Sequence, residues 1–142
     1  MKYLLDTDHL VILQRQQGAE FHTLSTRIAQ HARADLGFSL VSFHEQVLGC
    51  HTFIARAKKP SELERGYRML GRVLQDFAKA PVVPFDAPVI AAFESLRRQR
   101  LKVATMDLRI AATAVHHQLT LVTRNLKDFQ RVPGLLIEDW TV

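Results

Sequence analysis

The chain has 142 residues, of which 47% are hydrophobic and 23% charged, as in folded globular proteins and unlike disordered ones. No apolar run approaches the roughly 20 residues of a membrane span, and the N-terminus lacks the pattern of a secretion signal. The single cysteine, Cys50, excludes an internal disulfide and a cysteine-rich zinc site. We therefore expect one domain, residues 1–142, in the cytoplasm. The net charge of +5 favours a polyanionic partner, although many basic proteins bind none.

Short apolar runs alternate with helix-like patterns along the chain. Tyr3–Leu5 is predicted to be a strand, and Asp6-Thr7-Asp8 follows it directly. The spacing Ser-x-x-Glu, a capping box that marks helix starts, occurs twice, at Ser42 and Ser61. The predicted elements are a strand at 3–5, helices at 9–16 and 19–34, a strand at 38–41, helices opened by Ser42 and Ser61, a strand at 82–85, a helix capped by Asp86, a helix starting at Asp107, and strands at 119–122 and 135–137.

This alternation predicts an α/β sandwich around a mainly parallel sheet. Pro84 suggests that the strand at 82–85 lies at an edge or ends there. Sheets of this kind bind ligands beyond the carboxyl ends of their strands, where loops from different strands converge. Asp6 and Asn125 both fall just past a predicted strand, so we expect a site at that edge.

Two roles are possible for Asp6. It could cap the following helix or pair with a lysine, as isolated aspartates commonly do. However, Asp8 is the better cap by position, which leaves Asp6 without that role. A carboxylate at the end of a buried strand also costs several kcal/mol unless a cation or hydrogen-bond donors satisfy it.

The other polar residues at element junctions are individually ambiguous. Glu45 would complete a capping box, or would lie in a first helical turn that a phosphate could approach. Asp107 could be an N-cap, and Asn125 and Asp128 could end a turn. Taken together, these oxygen-bearing side chains in a basic protein suit a site for a hard divalent cation.

Other candidate chemistry is weaker. The seven histidines show no paired zinc spacing, Cys50 is most simply a small core residue, and no glycine-rich phosphate loop occurs. One run of basic residues is either a solvated helix end or a strip that contacts phosphates, and the sequence leaves both interpretations open. The run comprises Arg97, Arg98, Arg100 and Lys102.

The ordered set of motifs resembles PIN-domain ribonucleases, specifically the VapC-type toxins of toxin–antitoxin pairs. The similarity covers nearly the whole chain, in the segments LLDTDHL, SLVSFHEQVLG, MDLRIAATAV, LVTRNLKDFQRVPGL and IEDW. The resemblance implies a PIN-like three-layer sandwich, with a central, mainly parallel sheet flanked by helices. It also implies that Asp6, Glu45 and Asp107 bind Mg²⁺ or Mn²⁺, with the Thr123 hydroxyl close to the metal.

The fourth acidic position departs from the family pattern. Asn125 stands where many PIN domains carry aspartate, and Asp128 comes three residues later. Either Asp128 reaches the site or three acids suffice. Asp8 stands where many relatives have asparagine or serine, which leaves its role open.

By the same resemblance, the implied reaction is in-line hydrolysis of a structured RNA, such as a tRNA anticodon loop, that leaves 5′-phosphate and 3′-hydroxyl ends. The implied partners are a second copy in a homodimer and a small antitoxin that covers the acidic cleft, in some cases within a larger assembly. Basic residues outside the acidic cluster would hold the RNA backbone, namely Arg97, Arg98, Arg100, Lys102 and Arg124.

Two rival hypotheses compete with this one. An apolar strand followed by Asp-x-Asp also opens haloacid-dehalogenase-like phosphatases, in which Asp6 would be the nucleophile and Asp8 the acid/base. Against that hypothesis, Leu10 replaces a small or β-branched residue, the chain is short and no later lysine motif is evident. The second rival is a non-catalytic RNA-binding module, whose acids are caps and surface ion pairs.

Overall fold

Five short strands form one sheet in the computed structural model, which describes residues 1–142. The strands are β1 (Tyr3–Leu5), β2 (Leu36–Ser39), β3 (Val82–Val83), β4 (Thr120–Val122) and β5 (Ile137–Glu138). The helices are α1 (Thr7–Arg15), α2 (Ala19–Ala29), α3 (Leu40–Arg56), α4 (Pro60–Ala78), α5 (Ala87–Arg98), α6 (Thr105–His117) and α7 (Leu126–Phe129), with a 3-10 turn at Arg33–Asp35. None of these helices combines the length and hydropathy needed to span a bilayer.

All strand pairs are parallel, in the order β3-β2-β1-β4-β5. The chain builds outward from β1 through β2 to β3, and then continues on the other side of β1 with β4 and β5. Such a reversal of strand order opens a crevice at the carboxyl ends of the two central strands, where α/β proteins bind ligands. Leu5 pairs in register with Val122, so Asp6 and Thr123 leave the sheet side by side.

Apolar side chains fill both faces of the sheet. Neighbouring strand residues point to opposite faces, so Leu4 packs against α5 and α6, whereas Leu5 packs against α1 and α2. A third cluster, around Phe77 and Cys50, joins the α3–α4 hairpin to α1. The prediction of an α/β sandwich with helices on both sides of a parallel sheet is therefore confirmed, as is the buried position of Cys50.

Several predicted boundaries are wrong by a few residues. Helix α3 starts at Leu40, because the Ser39 hydroxyl accepts a hydrogen bond from the Val41 backbone N–H at 3.0 Å and caps the helix. Ser42 therefore lies inside the first turn and caps nothing. Strand β2 accordingly ends at Ser39, and α2 stops at Ala29, five residues earlier than predicted.

The second capping box is also absent. Helix α4 begins at Pro60, whose fixed φ suits a first helical position, so Ser61 is already helical. Helix α6 begins two residues before Asp107, and β5 begins two residues after the predicted start of the last strand. Helix α7 was not predicted. The proposed edge position of Pro84 is confirmed, since Pro84 follows β3 at one end of the sheet.

Candidate active site

Asp6 is the first residue after β1 and lies at the centre of the crevice. Its side chain is 6% exposed, and its backbone N–H donates to the Val122 carbonyl at 2.9 Å. One carboxylate oxygen accepts the Thr7 N–H at 2.8 Å and caps α1, while the other accepts the Thr123 hydroxyl at 2.8 Å. The expectation that Asp8 is the cap was wrong, because the helix starts one residue after Asp6.

Asp8 lies instead in the first turn of α1 and connects three segments. Its Oδ2 accepts the Arg124 backbone N–H at 3.0 Å, and its Oδ1 lies 2.8 Å from His9 Nδ1. His9 is fully buried, and its Nε2 accepts the Trp140 N–H at 3.3 Å. This pattern assigns the proton to Nδ1, so that His9 donates to Asp8. No local pattern indicates this link, because His9 and Trp140 are 131 residues apart.

Glu45 lies in the second turn of α3, not at the third position of a capping box. Its Oε1 accepts the Thr7 hydroxyl at 2.8 Å, and the Thr7 hydroxyl is also 2.9 Å from that of Ser42. The helix starts before Ser42, so Glu45 has no capping role and its side chain faces the crevice beside α1. No lysine, arginine or histidine nitrogen lies within 4.0 Å of it.

Asp107 is the third residue of α6 and makes no side-chain hydrogen bond or ion pair. Burial raises the pKa of its carboxyl, and the negative charges of Glu45, Asp128 and Asp8 raise it further. The alternative interpretation of Asp107 as an N-cap is wrong, since Ala104 occupies that position. Because charges act on one another mainly at short range, these effects place four chain segments around one crevice.

The acids raise one another's proton affinity. Burial, the Asp8 charge and, to a smaller extent, the Asp107 charge raise the pKa of Asp6 to about 7, although hydrogen bonds from Thr123 and Thr7 lower it. Neither Asp6 nor Asp107 has a cationic partner within 4.0 Å. A buried carboxylate without a counter-charge is costly, and a divalent cation would remove that cost.

The donor chemistry fits a hard cation, because the crevice offers carboxylate and hydroxyl oxygens and no thiolate. As the side chains stand, no three Asp, Glu, His or Cys residues are placed so that together they could hold a metal ion. The fit to a cation rests instead on the uncompensated charge and the donor types of Asp6, Glu45 and Asp107.

The two candidates for the fourth acidic position, Asn125 and Asp128, are hydrogen-bonded to each other in the segment after β4. The Asn125 N–H donates to the Thr123 hydroxyl oxygen at 3.0 Å, and its side-chain amide donates to Asp128 Oδ2 at 3.0 Å. Asp128 also pairs with Arg131, at 3.1 Å. Since the Asp128 charge raises the pKa of Asp107, Asp128 is near the acidic crevice and Asn125 orients it.

The five basic residues expected to hold RNA differ in their ion pairing. Arg97 pairs with Glu94 at 2.6 Å and Arg124 with Glu20 at 2.9 Å, whereas Arg98, Arg100 and Lys102 are exposed without an ion pair. None of the five lines the cleft that adjoins Glu45. Three arginines that the sequence reasoning missed do line it, namely Arg15, Arg65 and Arg72. The seven-residue spacing of the latter two on one helix face was an available signal.

We expect Thr123→Val to lower the stability of the metal-free protein by about 1–3 kcal/mol at pH near 8, because Asp6 then loses its hydroxyl donor. Thr123→Ser keeps the hydroxyl and is the matched control. Urea unfolding of both variants in EDTA measures the difference. Equal stability of the two variants would show that the hydroxyl does not support Asp6.

The fold and the crevice define a parallel α/β protein with an acidic centre at its strand-order reversal. The profile of the PIN-domain family matches residues 3–135. The chain belongs to the PIN-domain family, which confirms the resemblance inferred from its motifs. Membership of this family does not favour the phosphatase alternative. That alternative makes Asp8 the acid/base, but the two Asp8 oxygens contact His9 Nδ1 and the Arg124 backbone N–H.

The relatives of this chain include several ribonucleases. The chain is 38% identical over 58 residues to Ribonuclease VapC1 of Rickettsia felis, covering 38% of this chain and 43% of the relative. It is 44% identical over 45 residues to the tRNA(fMet)-specific endonuclease VapC of Salmonella typhimurium, covering 32% and 34%. These matches thus span less than half the length of each relative. Ribonuclease VapC2 of Haemophilus influenzae is 26% identical over 145 residues, covering 99% of this chain and 98% of the relative.

Solved structures share the whole fold. The DNA-bound VapBC complex from Salmonella typhimurium contains a chain that superposes with a TM-score of 0.76 at 24% identity, covering 99% of this chain and 98% of that one. A chain of VapBC2 from Rickettsia felis, bound to a DNA fragment from the promoter, superposes with a TM-score of 0.71 at 25% identity, covering 99% of both. The similarity in fold to these two structures therefore extends over nearly the whole chain.

Proposed function

We propose that the chain is an endoribonuclease that depends on Mg²⁺ or Mn²⁺ and acts as the VapC-type toxin of a toxin–antitoxin pair. One observation carries the proposal: Asp6, Glu45 and Asp107, from distant parts of the sequence, lie around one crevice without a cationic side chain within 4.0 Å. Carboxylates arranged in this way without a counter-charge lower the stability of the fold, and they suit the binding of a cation.

The proposed roles of the three acids rest on their positions in the crevice and, for Asp6 and Glu45, on their hydrogen bonds. When bound, a divalent cation would activate water and neutralise charge on the phosphodiester. Asp6 and Asp107 would hold the ion, and the Thr123 hydroxyl keeps the Asp6 carboxylate in position. Glu45 uses one oxygen for the Thr7 hydroxyl, which leaves the other to share in binding or to accept a proton from the attacking water.

The expected products follow from in-line attack of water on phosphorus. The hydroxide portion joins the phosphorus, the P–O bond to the 3′ oxygen breaks, and that oxygen takes a proton. The RNA is thus left with 5′-phosphate and 3′-hydroxyl ends. This outcome requires no covalent enzyme intermediate, so no aspartyl-phosphate should accumulate on Asp6.

The substrate class and partners are inferred with the help of the relatives. A structured RNA suits the net positive charge of the chain. Transfer RNA is the first candidate, because the Salmonella relative is a tRNA(fMet)-specific endonuclease. A cognate antitoxin suits the VapBC complexes in which the solved relatives occur. We further propose that the chain forms a homodimer of one PIN-like unit per subunit, residues 1–142, and acts in the cytoplasm.

The test uses antitoxin-free protein and bulk tRNA, with Mg²⁺ or with EDTA. We expect cleavage with Mg²⁺ alone, and sequencing of 5′ ends after induction in cells would identify the cut sites. RNA that remains intact but bound under both conditions would instead favour the non-catalytic binding module. Radiolabel retained on the protein as an aspartyl-phosphate would favour the phosphatase.

Asp128→Ala is expected to reduce cleavage more than Asn125→Ala. Asp128 contributes charge to the crevice, whereas the Asn125 amide acts by orienting Asp128. We expect a loss of roughly 10- to 100-fold for the first variant and a smaller loss for the second. Initial rates at several Mg²⁺ concentrations measure both effects. A larger loss for Asn125→Ala would assign the fourth ligand position to the amide.

A further inference from the structure

A cleft of about 790 Å³ begins at the acidic crevice and runs between α1, α3 and α4. Its volume lies within the range of ligand-binding sites. Thr7 and Glu45 line the end nearest the acids, and Arg15, Arg65 and Arg72 line the remainder. The cleft is therefore continuous with the proposed cleavage site.

The charge of the cleft is strongly one-sided. Apart from Glu45 its lining contains no acid, and none of its three arginines forms an ion pair. Arg72 donates to the Gln14 carbonyl at 3.0 Å, and the Arg65 guanidinium lies 5.5 Å from the centre of the Phe53 ring. These contacts hold the two guanidinium groups without neutralising them. By contrast, Arg68 on the same helix pairs with Glu64 at 3.8 Å and does not line the cleft.

The rest of the lining is polar or aliphatic and contains no aromatic ring. Gln14 and Gln46 exchange two hydrogen bonds of 2.9 Å each, which join α1 to α3 at this point. Unpaired guanidinium groups bind phosphates readily, and the lining offers no aromatic ring on which bases could stack. The lining thus suits a sugar–phosphate backbone.

We propose that this cleft holds the RNA strand on one side of the scissile bond, with Arg15, Arg65 and Arg72 contacting consecutive backbone phosphates. The inference rests on the proposed ribonuclease function. A strand cut at the acids must continue past them, and this cleft leads directly away from Glu45. Its positive charge also offsets the repulsion between the polyanion and the carboxylates.

The test compares two double variants with the same loss of charge. Arg15→Gln with Arg65→Gln removes two cleft arginines, and Arg56→Gln with Arg68→Gln removes two exposed arginines of the α3–α4 hairpin outside the cleft. The probe is fluorescein-labelled bulk tRNA, and anisotropy in EDTA measures binding without cleavage. Urea unfolding of both variants checks the fold.

The cleft variant should bind tRNA roughly tenfold more weakly near 100 mM KCl, and the slope of log affinity against log salt should fall by about 1.5. With Mg²⁺, its KM should rise by a similar factor at unchanged kcat. The control should stay within twofold of wild type.

Equal binding by the two variants would overturn the inference, and cleavage by the wild type would then leave the proposed function standing. Unchanged tRNA binding with loss of antitoxin binding would also overturn it, in favour of a protein-docking cleft. Wild-type protein that neither binds nor cuts tRNA would remove both.

Discussion

Replacing Asp6 or Asp107 with asparagine is expected to lower the rate of RNA cleavage by roughly a hundredfold or more while the protein stays folded. Even residues that only support a metal ligand alter activity by about 10- to 100-fold, so loss of a ligand charge should have at least this effect. The fold should persist because asparagine has nearly the same shape and can replace Asp6 as a helix cap.

The measurement is the single-turnover cleavage rate of labelled tRNA at saturating Mg²⁺, with circular dichroism as the check on folding. Asp86→Asn is the matched control, because Asp86 precedes α5, is exposed and makes no capping hydrogen bond. Its cleavage rate should equal that of wild type. If Asp6→Asn or Asp107→Asn cuts at the rate of this control, the residue concerned is not a core ligand.

Stability of the metal-free protein is expected to fall as pH rises from about 4 to about 7. In the unfolded chain Asp6 ionises near pH 3.8, whereas burial and the Asp8 charge raise its pKa in the folded protein to about 7. Between these values the folded state binds the proton more tightly, so deprotonation favours unfolding, and the loss is complete above the folded pKa. A shift of this size corresponds to at most about 4 kcal/mol.

Urea unfolding at pH 5 and pH 8, with EDTA or Mg²⁺, measures this dependence. Asp6→Asn should remove most of it, although Asp107, whose pKa is also raised, should leave a smaller slope. Mg²⁺ should stabilise the wild type more at pH 8 than at pH 5, because the ion binds the ionised carboxylates. Identical pH dependence of wild type and Asp6→Asn in EDTA would contradict the assigned environment of Asp6.

The sequence was sufficient for the class of fold and for the edge of the sheet at which the acids lie. Alternating apolar runs identify the strands, and Asp6 follows one directly, so the parallel topology alone places it at the carboxyl edge. Local boundaries were less accessible. Ser39 and Ser42 are equally good caps by residue type, so residue type alone does not decide between them.

Longer-range features could not be predicted. Trp140, at the other end of the chain, donates its backbone N–H to the buried His9, and no local pattern encodes that contact. The contiguous basic run at Arg97–Lys102 attracted attention because its charges are adjacent in sequence. Arg65 and Arg72 share one face of α4, whereas Arg15 becomes their neighbour only when α1 packs beside α4.

The order of the strands also governs when the crevice can exist during protein synthesis. Asp6 is made early, but the hydroxyl that supports it, on Thr123, follows 117 residues later. At translation rates of about 5–20 residues per second, the ribosome needs on the order of ten seconds to cover that interval. Nascent chains shorter than this lack β4 and cannot assemble the acidic centre, so any nuclease activity must await nearly complete translation.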